Sequence, residues 1–118
     1  MSRNRAAVVV TVLVAFAVAG GVLIFANRGQ DGQNVMINVT VTGGKTMQPS
    51  HLSAHQNDTV TIKITSDIDG EVHLHGYDIH FETKAGQVVS QTFKADKTGD
   101  FPIEWESTST SLGHLEVT

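Results

Sequence analysis

Residues 59–65 read TVTIKIT, in which Val60, Ile62 and Ile64 alternate with threonine and lysine. A period of two is the pattern of a β-strand that buries one face and exposes the other. Residues 35–41, VMINVTV, repeat the pattern. These two stretches predict that the chain folds as a sheet with one side against a core.

Further short strands are expected along the rest of the chain, near residues 71–75, 78–83, 88–95, 100–106 and 112–117. Turn residues separate them, and residues 107–111, a run of serine and threonine, read as one loop. Residues 45–57 are polar and are expected to be irregular. Because no helical periodicity appears after residue 34, seven short strands predict an all-β domain, an antiparallel β-sandwich with Greek-key connections.

The N-terminal segment has a different character. Residues 6–26 form an uncharged apolar run, long enough as a helix to cross a hydrocarbon core of about 30 Å. Arg3 and Arg5 precede it, and by the positive-inside rule they keep the N-terminus cytoplasmic. We therefore predict one N-terminal transmembrane helix that acts as a signal anchor.

This prediction divides the chain into three parts: an anchor at residues 1–26, a polar linker at 27–34 and a sandwich domain at 35–118. The domain is then extracytoplasmic, in a periplasm or at a cell surface. A cleaved signal peptide is the alternative, with a small-residue site at Ala17-Val18-Ala19. The longer apolar run favours the uncleaved anchor.

Composition narrows the function. The domain carries five lysines against eleven acidic residues, and the whole chain has a net charge of −4, which disfavours binding to nucleic acid. The chain has no cysteine, so any metal must be bound through nitrogen and oxygen. Because nucleophile motifs and phosphate-binding loops are missing, we do not expect an enzyme.

Histidines are concentrated in residues 73–80, HLHGYDIH, which hold three of the six in the chain. His73 and His75 are two apart, so on a strand they leave the same face. Paired neutral imidazoles form a chelate for copper or zinc, and copper is higher in the general affinity order. A third ligand is left open among the other histidines, which are His80, His114, His51 and His55, with Asp78 or Glu104 as an oxygen donor.

Several stretches in this order resemble cupredoxin-like domains: QNDTVTIKI, GEVHLHGYDIHF, KAGQVVSQTFKADKTGDFPIEW and GHLEVT. The resemblance covers most of residues 35–118, and HLHG is also similar to a motif of multicopper oxidases. It implies a blue-copper site of two histidines, one cysteine and one methionine. Here Trp105 stands about where the cysteine belongs, and residues 106–112 contain no methionine. The resemblance therefore implies a degenerate member without blue-copper electron transfer.

Two functions remain as hypotheses. The first is copper binding, or less favourably zinc binding, for metal handling, with His73, His75, His80 and His114 as candidate ligands. The second is a metal-free interaction module whose histidines form hydrogen bonds and whose partner is a protein of a membrane complex. In both hypotheses the N-terminal helix contacts the membrane.

Overall fold

A computed structural model describes residues 22–25 and 32–118 of the chain. The regular elements in these ranges are ten β-strands: β1 (Val22–Phe25), β2 (Asn34–Thr42), β3 (Thr46–Gln48), β4 (His51–Ala54), β5 (Thr59–Ser66), β6 (Gly70–Leu74), β7 (Ile79–Thr83), β8 (Val88–Lys94), β9 (Gly99–Trp105) and β10 (Thr110–Val117). All seven predicted strands are present, which confirms the all-β prediction for the described part of the chain.

The strands form two sheets. One has the order β1-β2-β5-β8, with β3 also paired to β2, and the other has the order β4-β10-β9-β6-β7. Most pairs are antiparallel, as predicted. The β2–β5 and β4–β10 pairs are parallel, so the antiparallel prediction was wrong for them, because a crossover rather than a hairpin connects each pair. Because several neighbours are distant in sequence, crossovers connect the two layers into a sandwich.

The core lies between the two sheets and follows the predicted alternation. In β2 and β5 every second residue is buried, and the alternate residues face outward. Trp105 is only 5% exposed, as expected for a large apolar side chain filling the interior. A Cβ on Gly70 would lie 2.1 Å from Cζ2 of Trp105. Gly70 is therefore needed for the indole to fit.

The region predicted to be irregular, residues 45–57, contains the two short strands β3 and β4. In β4, Leu52 and Ala54 are buried and alternate with exposed His51 and Ser53. This strand pairs in parallel with β10, near the C-terminus. The prediction was wrong here because so short a strand is stabilised by a distant partner that local pattern does not reveal.

A buried carboxylate joins β2 to the turn before β5. Asp58 is 2% exposed, and it accepts hydrogen bonds from the backbone N–H groups of Gln33 and His55, each at 2.8 Å. Buried charge is tolerated only when it is hydrogen-bonded in this way. Asp58 therefore connects the residue before β2 to the residue after β4.

The predicted anchor and linker fall mostly outside the described residues. Four residues of the predicted helix, Val22–Phe25, instead form a strand antiparallel to β2, with Leu23 opposite Met36. Their backbone groups pair with those of β2, which gives them strand rather than helix geometry. Asn34, the last predicted linker residue, already belongs to β2. Among residues 22–25 and 32–118 no helix has the length and hydrophobicity needed to cross a bilayer.

Candidate metal centre

The histidine cluster lies on the outer face of the second sheet, at the β6–β7 hairpin. In β6, Val72 and Leu74 are buried, so the alternate residue His73 faces outward. Antiparallel pairing places His73 directly opposite His80 of β7. The turn between the strands includes Gly76 at φ +86°, and a Cβ there would lie 2.2 Å from the Phe101 ring. Glycine at this position therefore allows the tight turn that brings the histidines together.

Three imidazole rings form a contiguous group. The His73 ring centroid lies 4.2 Å from that of His75, with planes inclined at 40°, and 4.2 Å from that of His80, with planes inclined at 10°. The shared face expected for His73 and His75 is thus confirmed. His80 is added by strand pairing rather than by local spacing.

Carboxylates face both nitrogens of His73. Its Nε2 lies 3.1 Å from Asp78 Oδ1, and its Nδ1 lies 3.3 Å from Glu106 Oε1. A neutral imidazole has one N–H and one lone pair, so one of these nitrogens would direct its lone pair at an anionic oxygen. A second proton on the ring or a cation between the groups removes that repulsion. The side chain of His73 is only 16% exposed, which limits the help that water can give.

His80 has the same arrangement. Its Nδ1 contacts Glu71 Oε2, and its Nε2 lies 3.2 Å from Asp78 Oδ1. Desolvation alone would lower the pKa of His80, but the hydrogen bonds to Glu71 and Asp78 outweigh it and raise the pKa above its ordinary value. Hydrogen bonds from His73 and then His80 lower the pKa of Asp78. The cluster therefore attracts positive charge, as protons or as a metal ion.

Three donor atoms converge closely enough for chelation. One ligand atom each from His73, His80 and Glu106 can be chosen so that all lie within 4.8 Å of one another. Two imidazole nitrogens and one carboxylate oxygen suit Cu(II) or Zn(II), and the set contains no sulfur. His75 lies beside this group, with its Nε2 3.0 Å from Glu104 Oε1. The donor chemistry thus fits a borderline divalent ion.

Comparison with known proteins identifies the type of fold. No family model and no curated protein matches the sequence. Many solved structures resemble it, including the following three. The first is a copper-binding protein in its apo form (TM-score 0.61, 16% identity, covering 78% of this chain and 93% of that one). The second is a heme-copper terminal oxidase dimer (TM-score 0.65, 18% identity, covering 91% and 76%). The third is the metal-binding domain of the Streptococcus pneumoniae Cu(I)-exporting P-type ATPase CopA with Cu(I) (TM-score 0.62, 13% identity, covering 79% and 92%). The fold is cupredoxin-like.

In this cupredoxin-like domain the sequence-predicted ligands separate into two groups. His73, His75 and His80 lie together, whereas His114 lies on β10, where its ring is 4.6 Å from that of His51. In the second sheet β9 separates β10 from β6. His55 belongs to neither group. Its Nδ1 forms a hydrogen bond with Thr118 Oγ1 at 3.1 Å.

Two carboxylates of the site, Glu71 and Glu106, were not identified as ligand candidates from sequence. The side chain of Glu106 is 47% exposed, and its Oε1 contacts Nδ1 of His73. The backbone N–H of Glu106 donates to the carbonyl of Glu71 at 2.8 Å, which extends the β6–β9 pairing. The sequence did show that Glu106 follows Trp105 and should therefore face outward. It did not show that β6, which carries His73, would lie beside Glu106.

Proposed function

We propose that this chain is a membrane-anchored, extracytoplasmic cupredoxin-like domain that binds copper, or less favourably zinc, for metal handling. The observation that carries the proposal is the convergence of His73, His80 and Glu106 on the outer face of the second sheet. His75, in ring contact with His73, is the adjacent imidazole available as a further ligand. The anchor is inferred from the apolar run that begins at Ala6, whose last part, Val22–Phe25, forms strand β1.

The donor set favours copper in its divalent state. Imidazole and carboxylate are ligands for Cu(II), and copper exceeds zinc in affinity for such sites. Blue-copper electron transfer needs a thiolate, and the chain has no cysteine. Capture or delivery of an ion is therefore favoured over blue-copper electron transfer.

Electrostatics and access support exchange of the ion. An open cleft of about 330 Å³ adjoins the cluster and is lined by Glu71, Glu82 and Glu106 among others. Carboxylates concentrated in one cleft raise the local concentration of cations. The side chains of His80 and Glu106 are 44% and 47% exposed. An ion held there remains open to a partner that could accept it.

Calorimetric titration of the full chain with Cu(II) tests the proposal. The chain is solubilised in detergent, because of its apolar segment, and carries no histidine tag. We compare the wild type with the His73→Ala/His80→Ala variant and with His55→Ala, a control outside the cluster. A sub-micromolar equivalent that the double variant loses and the control retains supports the proposal. Unchanged stoichiometry and affinity in the double variant contradict it.

The alternative is a metal-free interaction module of a membrane complex. It is favoured by one observation, that each of His73, His75 and His80 contacts a carboxylate that can accept a hydrogen bond from its ring. One structure of similar fold is that of a heme-copper terminal oxidase dimer. Weak, non-stoichiometric copper binding would favour this alternative.

A further inference from the structure

A second pair of histidines lies on the same outer face, across β9 from the first cluster. His51 begins β4, and His114 is its direct partner in the parallel β4–β10 register. A register shift in β10 between Ser111 and Gly113 marks a β-bulge. After the bulge, Leu115 is buried and His114 faces outward. The bulge thus sets the face on which His114 meets His51.

Close approach of the two strands depends on Gly113. A Cβ at this position would lie 2.1 Å from the backbone oxygen of Ser50. The same oxygen accepts a hydrogen bond from the N–H of His114 at 2.9 Å. The backbone therefore holds the two histidines in register independently of their side chains.

The two imidazoles are close and each is oriented by its own carboxylate. Their ring centroids are 4.6 Å apart, with planes inclined at 59°. His51 Nε2 lies 3.0 Å from Glu116 Oε1, and His114 Nδ1 lies 2.9 Å from Asp100 Oδ1. The other ring nitrogen of each, Nδ1 of His51 and Nε2 of His114, makes no hydrogen bond within the described residues.

Carboxylates placed in this way act as second-shell groups in metal sites. A carboxylate that accepts the N–H of one ring nitrogen leaves the opposite nitrogen unprotonated and raises its basicity. Metal–nitrogen bonds are about 2.0–2.1 Å, so the two nitrogens must approach to about 3 Å. Both side chains are exposed, 56% for His51 and 41% for His114, and small rotations are unhindered by a core.

We propose that His51 and His114 form a second site for Cu(II) or Zn(II), with Nδ1 of His51 and Nε2 of His114 as ligands. Glu116 and Asp100 orient the rings. The site is separate from the His73 cluster: Pro102 of β9 is opposite His114, and its carbonyl accepts the N–H of His75 at 2.9 Å. The nearest strands of the two sites, β10 and β6, are two strand spacings apart, and the centres of the sites are about three spacings, or about 14 Å, apart. This proposal does not depend on the first site binding metal.

The test is Cu(II) stoichiometry of the full, untagged chain in detergent, measured by calorimetry and electron paramagnetic resonance. Three proteins are compared with the wild type: His51→Asn/His114→Asn, His73→Asn/His80→Asn, and the control His55→Asn. Circular dichroism checks the fold of each. The side chains of the second pair are exposed, so their replacement is expected to leave the fold intact.

We expect two equivalents in the wild type and the control, and one in each double variant. Dipolar broadening between two bound Cu(II) ions is expected only when both pairs are present. Two equivalents retained in His51→Asn/His114→Asn would overturn the second site. The second site would also be overturned if the wild type bound one equivalent and this variant kept it. That result would still support the first site. A single equivalent lost only in this variant would support the second site and contradict the proposed function of the first.

Discussion

The imidazoles of His73 and His80 stack across the β6–β7 hairpin, with centroids 4.2 Å apart and planes inclined at 10°. Two positively charged rings in this arrangement would repel each other. The carboxylates of Asp78, Glu71 and Glu106 offset that repulsion. Because a metal ion binds only neutral imidazole, the same carboxylates can offset the charge of a bound metal ion once the rings are neutral.

The first prediction concerns the titration of His80. Its pKa in the metal-free protein is expected above the ordinary value of 6.5, because the hydrogen bonds to Glu71 and Asp78 outweigh desolvation. The Glu71→Gln substitution removes one of those charges and should lower this pKa. Nuclear magnetic resonance of the His80 ring protons against pH measures both values. Equal values in the two proteins would contradict the assignment.

The second prediction is the linkage of these groups to folding. A raised folded-state pKa means that His80 contributes stability below pH 6.5, and that the contribution is lost as pH rises through the raised value. Asp78 is opposite in sign: its contribution is present above about pH 3.8 and is lost as pH falls through its lowered pKa. Urea denaturation of Glu71→Gln should therefore show a larger deficit from the wild type at pH 5.5 than at pH 9. A stability difference between the variant and the wild type that does not depend on pH would contradict this linkage.

The third prediction compares the effects on Cu(II) binding of Glu104, in β9, and Glu106, just after β9. Glu106 belongs to the converging donor group, whereas Glu104 contacts His75 outside it. Glu106→Gln should weaken Cu(II) binding about 10- to 100-fold, and Glu104→Gln should weaken it less. Competition against a chromophoric chelator measures both constants. Equal losses would show that the donor group has been assigned incorrectly.

The fourth prediction tests the contact between Gly70 and Trp105. A methyl group on Gly70 would overlap the indole, so Gly70→Ala should destabilise the protein by about 1–3 kcal/mol. In a Trp105→Phe background the benzo ring is gone, and the added methyl should cost less. Chemical denaturation followed by circular dichroism completes this double-mutant cycle. Strictly additive effects would exclude the contact.

The fifth prediction concerns Asp58. Removing its carboxylate leaves the backbone N–H groups of Gln33 and His55 without their acceptor, so Asp58→Ala should cost about 3 kcal/mol. Asp96→Ala, at an exposed position, is the matched control and should cost little. Urea denaturation gives both values. A loss no greater than that of the control would show that the buried carboxylate is dispensable.

Sequence alone was sufficient where local pattern decides structure. Alternation identified β2 and β5, and the spacing of His73 and His75 predicted a shared face that their ring contact confirms. Local sequence pattern did not predict β4, whose parallel partner, β10, is distant in the chain.

The candidate site was predictable to a similar degree. His80 was one of several open choices for a third ligand until hairpin register placed it opposite His73. Glu106 could not be chosen, because its neighbour in space is set by β9–β6 pairing across about 30 residues. Nonlocal strand pairing therefore accounts for the ligands that local pattern missed.

Pulsed electron paramagnetic resonance on the full chain with one equivalent of Cu(II) tests the central claim most directly. Selective ¹⁵N labelling of histidine identifies the nitrogen ligands. The parent protein for this measurement is His51→Asn/His114→Asn, which removes the second proposed site, and His73→Asn/His80→Asn is added to it in a parallel sample. We predict couplings from at least two imidazoles at a high-affinity centre in the parent, which the added substitutions abolish. A parent spectrum without imidazole coupling, or an unchanged spectrum after the added substitutions, would contradict copper binding at this cluster.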